Sequence, residues 1–249
     1  DDGYYCFQLE PDADGEPQMV WHVDGEAYLD AETSPLVIAL QDEAGQTTKR
    51  FYAGLGMGGK EVLCLNAETG DVIWKKPAPY PVFGPPSFKD GRVYVGMGNG
   101  NFAEDAELAR EAHRNKLTER GLSKDEIQEH LKDMQPGGSV WCIDALTGER
   151  IWEKPVGRTV LGAVIPGEEG LYYASRDGHL YLCSYDGKEI EKFGCNEAIV
   201  ASPALGLEHI YCVTMSGNLF CLSSDNLELA WKSSLGQGSL FISSPSLAR

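Results

Sequence analysis

The residues of this 249-residue chain that could do chemistry are seven cysteines, five histidines and several runs of aspartate and glycine. A cysteine can serve as nucleophile, metal ligand or half of a disulfide, and spacing separates these roles. Cys6, Cys64, Cys142, Cys183 and Cys221 fall at or next to one position of a recurring unit. Equivalent positions on neighbouring units lie further apart than the roughly 4.4–6.8 Å between Cα atoms that a disulfide spans. These five read as small buried apolar side chains. Cys212 and Cys221 are a different case. In IYCVTMSGNLFCL a two-residue turn at Ser216-Gly217 puts Cys212 directly opposite Cys221. A cross-strand disulfide and a pair of buried thiols both fit that placement.

The other motifs lose their chemistry on inspection. Gly54-Leu55-Gly56-Met57-Gly58-Gly59 matches Gly-x-Gly-x-x-Gly, but EVLCL, a strand pattern, follows it. A dinucleotide site needs a helix there, whose N-terminus meets the pyrophosphate. Asp12-Ala13-Asp14-Gly15 begins like a calcium loop but lacks the third carboxylate and the distal glutamate, so it reads as an acidic turn. Glu126 and His130 stand one helical turn apart, a spacing that could share a metal but more simply marks a solvated helix face. Asp144, Asp177 and Asp186 all sit at expected turns, so none is assigned as a base. No catalytic residue and no metal ligand is expected.

The elements that carry these residues repeat. EVLCLNAETGDVIW, Glu61 to Trp74, reads as strand, tight turn and strand, and SVWCIDALTGERIW, Ser139 to Trp152, repeats it. NLFCLSSDNLELAW, ending at Trp231, is a third copy, and LYLCSYDGKEIEKF a looser one with Phe193 in the tryptophan's place. Trp152 to Phe193 spans 41 residues and Phe193 to Trp231 spans 38. Trp74 to Trp152 is 78, which falls to 42 once residues 101–136 are removed. Apolar runs of four to eight residues between turn signals give four strands per unit. Four strands in a repeat of about 40 residues predict an all-β fold, a β-propeller of four-stranded blades.

The expected blades are 33–76, 82–154, 160–193 and 199–232 within one propeller domain, 1–249. A partial blade, 1–25, precedes them with Trp21 closing its last strand, and the first strand of a further blade, 240–249, follows. About five repeats are visible, as part of a larger ring. The insert, 102–134, is rich in helix formers: Gly121 is placed to end one helix and Ser123 to Glu126 form a capping box for the next. A helical hairpin there interrupts the second and third strands of one blade, on the face that also carries the links between blades. A net charge of −17 argues against nucleic acid, since phosphate contacts need clustered Lys and Arg. No apolar run reaches the length of a membrane span.

The units resemble the pyrroloquinoline-quinone-like, or quinoprotein-type, propeller repeat, apolar-x-Ala-x-Asp-Ala-x-Thr-Gly-x-x-x-Trp. IDALTGERIW carries it through Asp144, Ala145, Thr147, Gly148 and Trp152, and LNAETGDVIW through Ala67, Thr69, Gly70 and Trp74. The turn residues shape a tight turn. The resemblance implies that Trp21, Trp74, Trp152, Trp231 and Phe193 dock on adjacent blades, and that the full ring has seven or eight. It also implies a bacterial, periplasmic or cell-envelope location. The nearest functional analogy is the propeller lipoprotein that assists outer-membrane barrel assembly, hence a non-catalytic scaffold. A protein partner or small ligand is expected on the insert-bearing face, near the insert and the strand starts at Val82-Gly84, Gly162-Ala163 and Ser202. No cofactor is expected. The alternative that the family implies is a dehydrogenase using pyrroloquinoline quinone and calcium, whose paired adjacent cysteines this chain lacks.

Overall fold

A computed structural model describes residues 3–24, 31, 33–42, 44–100, 105–236 and 238–247. Residues 102–104 of the insert, 1, 2 and 25 of the first partial blade, and 248–249 at the end lie outside the described residues.

The chain is an all-β propeller. Two strands come first, β1 (Gly3–Phe7) and β2 (Met19–Asp24), paired antiparallel. Four four-stranded antiparallel sheets follow in sequence order. Blade one contains β3 (Leu36–Gln41), β4 (Thr47–Gly54), β5 (Glu61–Asn66) and β6 (Val72–Pro77). Blade two contains β7 (Ser87–Lys89), β8 (Arg92–Gly98), β9 (Gly138–Asp144) and β10 (Arg150–Val156). Blade three contains β11 (Ile165–Pro166), β12 (Leu171–Ala174), β13 (His179–Cys183) and β14 (Glu189–Gly194). Blade four contains β15 (Ala204–Leu205), β16 (His209–Val213), β17 (Asn218–Ser223) and β18 (Leu229–Ser234). The second and third strands of each blade are mostly apolar and buried over most of their length, as strands covered on both faces are, whereas β18, the outer strand of blade four, is exposed throughout.

The first strands are shorter than their apolar runs, since the front half of each run crosses toward the hub. Val82 N–H donates to Leu55 O at 2.9 Å, and its side chain fills the space beside Gly54. Val160 does the same against Met97 and Gly96. Phe83, Leu161 and Val200 meet there in one buried cluster with Met215. A side chain at Gly84 would stand 2.9 Å from Gly96 O, and one at Gly162 would stand 2.7 Å from the Ser202 backbone. Two serines that each precede a proline, Ser202 and Ser244, join successive crossings: Ser202 Oγ accepts Ala163 N–H at 2.8 Å, and Ser244 Oγ accepts Ser202 N–H at 2.9 Å.

Residues 240–247 are expected as a strand but form none. Phe241 N–H donates to Met215 O at 2.9 Å, so the segment crosses the hub as its counterparts do. First strands pair only with the second strand of their own blade, and residues 240–247 have no such strand beside them among the described residues.

The insert leaves β8 and returns to β9 as α1 (Ala106–Glu119) and α2 (Lys124–Leu131), then a short 3-10 turn. Asp105 caps α1, and Gly121 at φ +81° ends it. Ser123 and Glu126 cap α2 reciprocally, with Ser123 N–H on Glu126 Oε2 at 2.8 Å. Leu117 and Leu131 are the buried leucines of the two helices.

Candidate docking site on the inserted helices

The blade junctions repeat one arrangement. Trp21 Nε1 donates to Ala67 O at 2.9 Å, Trp74 Nε1 to Ala145 O at 3.4 Å and Trp152 Nε1 to Tyr185 O at 2.9 Å. Each indole lies on the turn glycine of the next blade. A Cβ at Gly70, Gly148 or Gly187 would come within 3.0, 2.6 or 3.0 Å of the ring, and all three have positive φ. Asp144 Oδ1 shapes the second of these turns by accepting the Leu146 and Thr147 N–H groups and the Thr147 hydroxyl. Thr69 Oγ1 donates to Asp71 Oδ2 at 2.7 Å in the first. Phe193 packs against the cluster that holds Leu227, with its ring edge-on to Phe220 at 5.7 Å, and Leu227, at φ +55°, is buried where the other turns have glycine. Trp231 is 45% exposed, without a neighbouring blade among the described residues.

The cysteine expectation needs correction. Cys212 pairs with Phe220, and Tyr211 pairs with Cys221, so Cys212 and Cys221 point to opposite faces of the sheet. Gly217, at φ +86°, makes the hairpin loop three residues long instead of two, and that slip of one position turns every side chain over. All seven cysteines are free thiols. Burial raises Cys64 and Cys142 to about 11 and Cys183 to about 12. Such thiols are un-ionised at neutral pH and make poor nucleophiles.

The remaining carboxylates are committed locally. Asp177 accepts Tyr181 OH at 2.7 Å and His179 N–H at 3.1 Å. Asp186 is held at about 2 by hydrogen bonds from Lys188 and Ser184. Glu126 is engaged by Ser123, whose N–H and hydroxyl both donate to Glu126 Oε2 and lower its pKa, as a capping box does. Asp12 accepts the Asp14 and Glu16 N–H groups, each at 2.9 Å, as an Asx turn.

The concave surface lies on the insert. Its base is pinned by Arg158, in the link between blades two and three, which reaches Asp105 at 3.2 Å and Glu107 at 2.8 Å. Asn99 Nδ2 donates to Gln135 O at 2.6 Å on the return side. This pair of contacts places the insert on the same face as the inter-blade links. Between α1 and α2 runs a groove of about 530 Å³. Leu122, Ile127 and Leu131 supply its apolar part, and Arg110, Arg114 and Lys124 its charge. Arg110 and Arg114, one turn apart on α1, also line a second groove of about 470 Å³, of mixed charge, with Glu107, Glu111, Gln135 and Pro136. The Nε of Arg110 is buried without a hydrogen-bond partner among the described residues. These cations were missed in the sequence because they come from two helices separated by a turn and are interspersed with carboxylates, so the insert read as a whole stays acidic.

The family described as outer membrane protein assembly factor BamB matches residues 12–122 and 136–248. The chain belongs to this family. The gap between the two matched segments falls within the insert. No curated protein matches the sequence. Among solved structures, Saccharomyces cerevisiae Sqt1 is similar with a TM-score of 0.67 at 11% identity, over 97% of this chain and 58% of that one. The computationally designed Ika8 protein is similar at 0.56 and 12%, over 86% of this chain and 53% of that one. At those identities the likeness concerns the fold alone. The chain spans less than two thirds of either structure.

Family membership raises the question of a quinone cofactor, and the described residues fit one poorly. A planar quinone over calcium needs a slot with free carboxylate or amide ligands. At the strand starts, Gly84 and Gly162 bring backbone against backbone, and Asp144, Asp177 and Asp186 are occupied by their own turns. No helix among the described residues is long and apolar enough to cross a membrane.

Proposed function

We propose that this chain is a non-catalytic propeller module of the cell envelope that docks a protein partner on its inserted helices. The groove between α1 and α2 would take an acidic segment with apolar side chains. One observation carries the reading: three cations, Arg110, Arg114 and Lys124, border an apolar floor on a chain of net charge −17. Carboxylates of a partner gain charge-assisted hydrogen bonds from the guanidinium groups, while the half-buried Leu122 and Ile127 cover its apolar side chains. Single-sign clusters of this kind raise association rates and select partners by charge. The family's name, an assembly factor for outer membrane proteins, supports both the envelope location and a protein as the partner.

The test uses the whole chain and acidic, neutral and basic versions of one amphipathic helical peptide, read by fluorescence anisotropy. The acidic version binds at micromolar concentration, and Arg110→Glu with Arg114→Glu weakens it by about ten-fold or more. Equal binding of all three versions, or no effect of the double substitution, contradicts the reading. Saturable binding of pyrroloquinoline quinone with calcium would replace it with the quinone-dependent oxidoreductase.

A further inference from the structure

Five of the seven cysteines obey the repeat: Cys6 in β1 and Cys64, Cys142, Cys183 and Cys221 in the third strands of the four blades. The two that break it meet each other. Cys195 lies just after β14 in the link from blade three to blade four, and Cys212 lies in β16, the second strand of blade four. Their sulfur atoms are 3.8 Å apart, inside a buried cluster with Ala174, Ile199 and Ile210. We propose that Cys195 and Cys212 form a dithiol site that an organic disulfide oxidises to an intramolecular disulfide, clipping blade three to blade four.

The geometry favours Cys195 as the entry point. It is flanked by exposed Gly194 and Asn196 on the insert-bearing face, and Asn196 has φ +62°, a tight turn in the link. Its own N–H donates to Gly178 O at 2.7 Å, so local opening of that single link bares the thiol without unfolding a strand. Cys212 stays inside the sheet, 1% exposed. In the reaction the Cys195 thiolate attacks one sulfur of an organic disulfide, forming a mixed disulfide and releasing one thiolate. Cys212, held as the thiol by its contact with Cys195 and by burial, then attacks Cys195 Sγ once that sulfur carries the mixed disulfide, and gives its proton to the second departing thiolate. The protein dithiol loses two electrons and two protons, and the organic disulfide becomes two thiols. The sulfur atoms must approach from 3.8 Å to the ~2.05 Å of a disulfide, a movement within reach of side-chain rotation and a small shift of the link. No other pair offers this. Cys212 and Cys221 face opposite ways, and the remaining third-strand cysteines sit on separate blades.

Oxidised glutathione is the probe. The folded full-length chain is incubated with it, unfolded without reductant, alkylated and mapped by mass spectrometry. The site predicts that five of the seven cysteines alkylate and that one peptide pair joins Cys195 to Cys212. Cys221→Ser should leave that bond in place, whereas Cys195→Ser should abolish it; the wild-type peptide map decides alone if the second variant does not fold. The oxidised chain should melt roughly 5–10 °C higher, since the bond closes a loop between blades, and dithiothreitol should reverse the gain. Seven alkylated cysteines, a bond between another pair, or a mixed disulfide that never closes would overturn the site. A Cys195–Cys212 bond with an unchanged midpoint would overturn the clip.

Discussion

Two blade junctions do the same work with different residues. Between blades one and two, Trp74 lies on Gly148, whose missing side chain leaves room for the indole. Between blades three and four the ring is the smaller Phe193 and the turn residue is the larger Leu227, buried at φ +55° in the cluster on which Phe193 packs. Volume is kept while both partners change, as close packing requires. The junctions are therefore interchangeable structural parts. The insert occurs once, carries the chain's basic groove and is absent from the other three complete blades. What repeats builds the disc, and what does not repeat is where a partner can be recognised.

That comparison is easiest to break at the tryptophans. Trp74→Ala should lower stability by about 3–5 kcal/mol by opening a cavity beside Gly148. Trp231→Ala, at the same repeat position but with its ring 45% exposed, should change it by less than about 1 kcal/mol. Urea unfolding of both variants checks the contrast, and equal losses would dissolve it. Gly148→Ala should cost about 2–4 kcal/mol, because its Cβ would stand 2.6 Å from the Trp74 ring at a φ of +71°. At the other junction, Leu227→Gly should destabilise by about 1–3 kcal/mol, the cavity outweighing the relief of a left-handed leucine. Adding Phe193→Trp to it should recover part of that loss, a coupling that a double-mutant cycle measures.

A smaller effect sharpens the picture of the links. Glu197, between blades three and four, is held at about 2 by hydrogen bonds from Ser216, Thr214 and Asn218. A carboxylate with a lowered folded pKa contributes stability that is complete above its unfolded value, near ~4.3, and is lost as pH falls through the folded value. The difference in melting temperature between wild type and Glu197→Gln should therefore be constant above pH ~5 and shrink as pH falls toward 2. A difference that stays flat through that window would mean that the carboxylate's charge contributes nothing.

Much of this fold was legible because its signals are local. Alternating apolar strands, the Thr69-Gly70 and Thr147-Gly148 turns and a terminal tryptophan recur often enough to define blades without tertiary information. Ser123 and Glu126 announced their capping box for the same reason. The errors came where one backbone angle or a distant neighbour decides. Gly217 at φ +86° lengthened a hairpin by one residue and turned Cys212 away from Cys221. Residues 240–247 have the grammar of a strand, but a strand exists only with a partner to pair with. The basic groove was hidden because Arg110, Arg114 and Lys124 converge only when α1 folds back on α2. Cys195 and Cys212, 17 residues apart, meet through a link whose course no periodicity describes.

The central claim is that partners dock on the insert while the blade junctions and strand starts are structural. Hydrogen exchange on the full-length chain, with and without the acidic amphipathic peptide, tests it most directly. The account predicts added protection across 106–131 and none at 82–84, 160–163 or 199–202. Protection confined to those strand starts, with the helices unchanged, would contradict it and move the site to the hub of the propeller.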